Sequence, residues 1–306
     1  MNKLCKNIVP SLNFLCLLTA AWGLSPLLPS SAEAVELKIT VENTSTSPDV
    51  FFSPFWIGLH DGSFDTFTPG EAASLGLEIV AEDGIVGLEL AEPAFLPFVN
   101  AVIAGGATLP DPADTIAALF SALEPDGIQQ LAFASIFGFS AGSDFSFTVE
   151  VDPSIHKTLS YASMIVPSHD GFVADIDPVS IFSDTGVFLP QTIEILASDV
   201  YDAGTEVNAE DLSQTPITFN PPSLLFGAVR QGTPENGVIE LHPLLKEAGQ
   251  GGFLDVPRFA NSDFTRAPEA RIARIKVEVV PEPLTLLGAV TAAGFGIFFK
   301  RKLHQS

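Results

Sequence analysis

The chain has 306 residues, 37 acidic against 14 basic side chains, a net charge of −23, and two cysteines, Cys5 and Cys16. Nucleic acid and anionic membrane surfaces repel so acidic a chain, whereas divalent cations do not. Residues 35–280 hold no cysteine, which excludes disulfides, thiolate metal sites and cysteine nucleophiles there.

The first segment reads as an address label. Lys3 and Lys6 precede the largely apolar run Phe14 to Trp22, and Ala32-Glu33-Ala34 closes it. A basic start, an apolar middle and an A-x-A end predict a secretory signal peptide over residues 1–34. Both cysteines fall inside it. Asn13-Phe14-Leu15 lacks the small residues that precede a lipidated cysteine. Between 35 and 280 nine basic and 35 acidic residues remain, enough chain for one domain with its own apolar core.

VELKITVEN opens this body, with Val35, Leu37, Ile39 and Val41 on one face and Glu36, Lys38, Thr40 and Glu42 on the other. DFSFTVEV repeats the alternation through Phe145, Phe147, Val149 and Val151, and ARIKVEV through Ala273, Ile275, Val277 and Val279. A period of two with one wet face predicts strands of an antiparallel sandwich. Further short strands are predicted at Phe55–Leu59, Tyr161–Val166, Gly171–Ala174 and Gln191–Ala197, with Pro and Gly punctuating them. Ala94 to Phe137 departs, being rich in Ala, Leu, Ile and Phe, and the stretch from Asp114 reads as a short capped helix within a helical excursion. The predicted class is all-β, a single domain over 35–280.

Catalytic signals are few. The body holds His60, His156, His169 and His242, with no H-E-x-x-H, no G-x-S-x-G and no Gly-rich phosphate loop. His60-Asp61 is a pair that metal phosphohydrolases use, but those are helical and need more histidines. Here it follows a strand and precedes Gly62, so it reads as a turn. Ser168, His169 and Asp170 stand side by side, yet neighbours in an extended segment point to opposite faces and cannot form a triad. The expectation is a protein that is not an enzyme, an extracellular enzyme of unrecognised type being the remaining alternative.

Three carboxylates stand at strand ends or loops: Glu150 on the wet face before Pro153, Asp170 after Pro167, and Asp202 in the turn VYDAGTE. Calcium takes six to eight oxygens from carboxylates and loop carbonyls, so strand ends meeting in a sandwich would suit it. Ordinary turn chemistry is the alternative for each aspartate.

The tail begins with Pro281-Glu282-Pro283, continues with sixteen uncharged residues from Leu284 to Phe299 and closes with Lys300-Arg301-Lys302. As a helix the run would span roughly 24 Å, short for a bilayer core of ~30 Å. This order resembles the PEP-CTERM sorting signal of bacterial exported proteins, here residues 281–306. The resemblance implies recognition by an exosortase-type sorting enzyme, removal of a transiently membrane-anchored tail, and delivery to the cell envelope or extracellular matrix.

The body carries a second resemblance. FFSPFWIGLHDGSFDTFTPGEAAS, GLEIVAEDG, SMIVPSHDGFVADI and VYDAGTEVN, in that order, resemble the spondin domain. Ser168-His169-Asp170-Gly171-Phe172-Val173 is similar to its Ser-Pro-Asp-Trp-Phe-Val-Gly motif, and Tyr201 to Glu206 to its Tyr-Asp-Ala-Gly-Thr-Asp motif. The resemblance implies a C2-like antiparallel β-sandwich binding one Ca2+ at one end, through Asp170, Asp202 and a preceding glutamate that fits Glu150. It also implies adhesion to an extracellular polysaccharide or matrix protein, the alternative being a structural matrix component without a functional metal. Gly171 departs from the family's tryptophan and Glu206 from its aspartate. Nucleic acid is not an expected partner, and the membrane is expected only through the tail.

Overall fold

In a computed structural model the described residues are 34–87, 109–135, 138–211 and 232–281. Nearly all of the predicted signal peptide, the apolar part of the tail and residues 94–108 of the helical excursion lie outside them. Among the described residues no helix is long and apolar enough to cross a membrane.

Two antiparallel sheets carry the fold. The first has four strands in the order β5 (Asp144–Val151), β1 (Val35–Asn43), β12 (Arg271–Val279) and β9 (Gln191–Leu196). Its alternation is the one read from sequence: Leu37, Ile39, Val41, Ile275 and Val277 are all but inaccessible, while Glu36, Lys276 and Glu278 face water. On the wet face Arg274 pairs with Glu42, and Thr40 and Ser146 share a 2.8 Å hydrogen bond. A strand pair of this kind gains mainly from burying its apolar side, about 1.5–3 kcal/mol for each large aliphatic residue.

The second sheet orders β11 (Glu240–Leu241), β10 (Tyr201–Asp202), β7 (Gly171–Ala174), β6 (Thr158–Val166), β3 (Phe55–His60) and β4 (Ile128–Ala132). Two short strands, β2 (Phe51–Phe52) and β8 (Val179–Ser180), also pair with β6. This sheet is covered on both faces, which is why β3 and most of β6 are buried at every position. Phe55, Ile57, Leu59, Leu159, Tyr161 and Val173 pack toward the first sheet and complete the sandwich core. Trp56, Ala162, Phe172 and Ala174 pack the other way, against two helices.

Those helices are α1 (Leu75–Asp83) and α2 (Ile116–Leu123). α2 falls where the capped helix was expected, but Thr115 rather than Asp114 caps it, its hydroxyl accepting from Ala118 N at 3.3 Å. α1 was not expected. Seven of its nine residues are buried, so it lacks the polar stripe that identifies an amphipathic helix.

Candidate metal centre

The chain leaves β6 at Val166 and returns as β7 at Gly171, and the loop between them carries Ser168, His169 and Asp170. Their side chains take separate ways. Ser168 Oγ donates to Ile165 O and accepts from Gly171 N at 3.0 Å, closing the loop on itself. His169 Nε2 accepts from Asp211 N at 3.3 Å. Asp170 turns toward the neighbouring segment after β10. The three make a structural turn, not a triad.

β10 pairs with β7 so that Tyr201 faces Phe172 and Asp202 faces Gly171. That register sets Asp170 and Asp202 at adjacent rungs of one ladder end. Asp170 is wholly buried. Its Oδ2 accepts from Thr205 N at 2.8 Å, Thr205 Oγ1 at 3.2 Å and Glu206 N at 3.0 Å. Its Oδ1 is equally buried and has no hydrogen-bond partner. Burial first, and then the charge of Asp202, push its pKa up to about 7. Asp202 Oδ1 accepts from Gly204 N at 2.7 Å, and Oδ2 is held by Asn208 Nδ2.

The turn between them depends on Gly204. Its φ is +67°, and a Cβ there would lie 2.6 Å from Val238 O and 2.7 Å from Val238 N. Only glycine fits both demands. The turn then delivers Glu206, 3 % exposed, whose Oε1 accepts from Gly232 N at 2.8 Å. Glu206 Oε2 has no hydrogen-bond partner and lies 3.8 Å from His169 Nδ1, which has none either. A cavity of about 490 Å³ opens beside Gly204, Thr205 and Glu206. His242 stands on the other side: its Nδ1 donates to Pro243 O at 2.8 Å, leaving Nε2 as a buried lone pair without a donor. Burial lowers its pKa, so it is a neutral acceptor. Buried polar atoms are nearly always bonded, so Asp170 Oδ1, Glu206 Oε2 and His242 Nε2 together mark unmet valence at one end of the sheet.

Glu150 does not join them. It is exposed on edge strand β5 and stands opposite Glu36 in the other sheet. Asp152 N donates to His156 Nδ1 at 3.0 Å, which ties the end of β5 to the residues entering β6. Asp170 follows the far end of β6, and nine strand residues put those ends roughly 26 Å apart. The third carboxylate at the Asp170 end is Glu206. The signal for it was in YDAGTE, where a left-handed glycine two residues after Asp202 folds the next acid back.

Among the described residues, the one set of three His, Asp or Glu side chains with donor atoms all within 4.8 Å is His60, Asp61 and Glu124. The Asp170 end is wider. It offers mostly oxygens, two of them unbonded carboxylate oxygens, Asp170 Oδ1 and Glu206 Oε2, alongside Asn208. Ca2+ tolerates such a shell, because it takes more ligands at longer distance than smaller cations do. The unbonded carboxylate oxygens, Asp170 Oδ1 and Glu206 Oε2, are of the donor type that calcium takes. No protein-family model matches this chain, and no curated protein sequence matches it.

Proposed function

We propose that residues 35–280 form a calcium-binding adhesion module, a C2-like sandwich of the spondin type, exported to the cell envelope or extracellular matrix. The observation that carries this reading is Asp170: a wholly buried carboxylate with one unbonded oxygen, beside a second aspartate. Two carboxylates held together in an apolar surrounding repel each other, and a divalent cation removes that repulsion while tying the 167–170 and 202–208 segments together. Asp170, Asp202 and Glu206 would hold the ion, with Asn208 completing the oxygen set. Calcium bound there would be structural and non-catalytic, fixing the loops that meet a partner.

The spondin resemblance suggests the partner class: an extracellular polysaccharide or a matrix protein, engaged at the loop end that calcium would order. The Pro-Glu-Pro tail supports export and processing by an exosortase-type enzyme. A thermal melt of the chelated protein with added Ca2+ or Mg2+ tests the site. A ligand at a hundredfold excess over its Kd stabilises the folded state by ~2.7 kcal/mol, or several degrees in a domain of this size. Calcium should give that rise and magnesium should not. Equal, weak responses to both ions would reduce the cluster to acidic surface.

A further inference from the structure

A second constellation sits where β3 ends. His60 is the last residue of that strand, Asp61 follows it, and Glu124 caps the end of α2. His60 is fully buried, Glu124 nearly so, and Asp61 is exposed. One donor atom from each lies within 4.8 Å of the others, and His60 Nδ1 is 3.9 Å from Glu124 Oε1.

What raises this above chance proximity is the preparation of the imidazole. Ser160 Oγ donates its hydrogen to Asp175 Oδ2 at 2.7 Å. It must therefore accept from His60 Nε2, 3.0 Å away, which places the ring proton on Nε2. Nδ1 keeps its lone pair, which accepts from Gly62 N at 3.2 Å, and Glu124 Oε1 lies 3.9 Å from that nitrogen. Phe64 and Phe120 meet the ring edge-on at 5.9 and 5.8 Å and lock its plane. A histidine whose second nitrogen donates into a carboxylate relay, through a hydroxyl here, is the usual support of a metal ligand.

We propose that His60 Nδ1, Glu124 and Asp61 bind a first-row divalent transition cation of the zinc class, at a site separate from Asp170 and Asp202. Imidazole nitrogen with two carboxylates suits such ions better than calcium, which prefers an all-oxygen shell. At bond lengths of ~2.1 Å, tetrahedral donors sit about 3.4 Å apart. Glu124 must close by about half an ångström, and Asp61, exposed at the rim, swings in to meet it. One further adjustment accompanies binding. Gly62 N gives up Nδ1 and turns to water, which its exposed position allows. Ser63 bonds Asp61 Oδ1 through its amide and Glu124 Oε1 through its hydroxyl, which holds both acids beside His60 while each carboxylate oxygen keeps a lone pair for the ion.

Co2+ is the probe, because its visible absorption reports coordination directly. Chelator-stripped protein titrated with Co2+ should develop a band that saturates at one ion per chain, collapses on adding Zn2+ and persists in excess Ca2+. Asp61→Asn, an exposed change that keeps the acceptor for Ser63, should weaken cobalt binding at least tenfold with an unchanged circular dichroism spectrum. Glu124→Gln should do the same, and Asp202→Asn should leave the titration unaltered. Absence of a saturable band, or loss of the band in Asp202→Asn but not in Asp61→Asn, would overturn the proposal. The calcium reading stands or falls separately, since neither Asp61 nor Glu124 contributes to it.

Discussion

Asp170→Asn, in protein stripped of metal, is a change that should stabilise while it disables. The folded pKa of Asp170 is pushed up to about 7 by burial and by Asp202, against 3.8 for an ordinary aspartate. A raised folded pKa means the native state keeps a proton the unfolded state has lost. Stability from this group is therefore intact below about pH 4, falls as pH rises toward 7, and stays reduced above it. Roughly three pH units at ~1.36 kcal/mol each make the ionised carboxylate cost about 4 kcal/mol at pH 8. Asparagine removes that cost but weakens the bonds from Thr205 and Glu206, which as charge-assisted bonds lose about 1–2 kcal/mol. The net gain is about 2 kcal/mol, or about 6 °C in Tm for a domain of this size. Scanning calorimetry in chelator at pH 8 and pH 5 measures it. The gain should be present at pH 8 and nearly gone at pH 5, where wild-type Asp170 is already protonated. A variant that melts lower at pH 8, or gains equally at both values, would refute the electrostatic account of this site.

Glu150→Gln should leave any calcium response unchanged and shift stability by less than about 0.5 kcal/mol, because the residue is exposed and faces Glu36; denaturant titration with and without Ca2+ checks both. Gly204→Ala places a methyl into the backbone of Val238 at positive φ, so urea unfolding should show a loss of about 2 kcal/mol or more, with a weakened calcium response. Mass spectrometry of the natively exported protein should find no peptide from Leu284 to Ser306; recovery of that peptide in the envelope fraction would make the tail a plain anchor.

How legible the molecule was depends on what each element buries. β1, β5 and β12 have one wet face, so their alternation is written in the sequence and their bounds were read almost to the residue. β3 and β6 are buried on both faces, and their near-continuous apolar runs show a strand's presence but not its neighbours. α1 hid because it too is buried nearly all round. At the candidate site, Asp170 and Asp202 were singled out from their turn motifs, and the pairing of β7 with β10 sets them near each other. Glu150 was misplaced because alternation tells which face a residue occupies, not which end of the sandwich its strand points to. His242 could not be foreseen, since it reaches Asp202 only through the pairing of β10 with β11. The relay from His60 through Ser160 to Asp175 is likewise a product of β3 pairing with β6, where Gly58 faces Ser160 two positions from His60.

The central claim is a calcium ion held by Asp170 and Asp202. Isothermal titration of Ca2+ into chelator-stripped wild type and Asp202→Asn tests it most directly. Asparagine keeps the size of the side chain but not the charge that a hard cation requires. The account predicts one saturable site per chain in the wild type, little or no heat with Mg2+ in its place, and a binding isotherm flattened in Asp202→Asn. An absent isotherm in the wild type, or the same isotherm in both proteins, would contradict it.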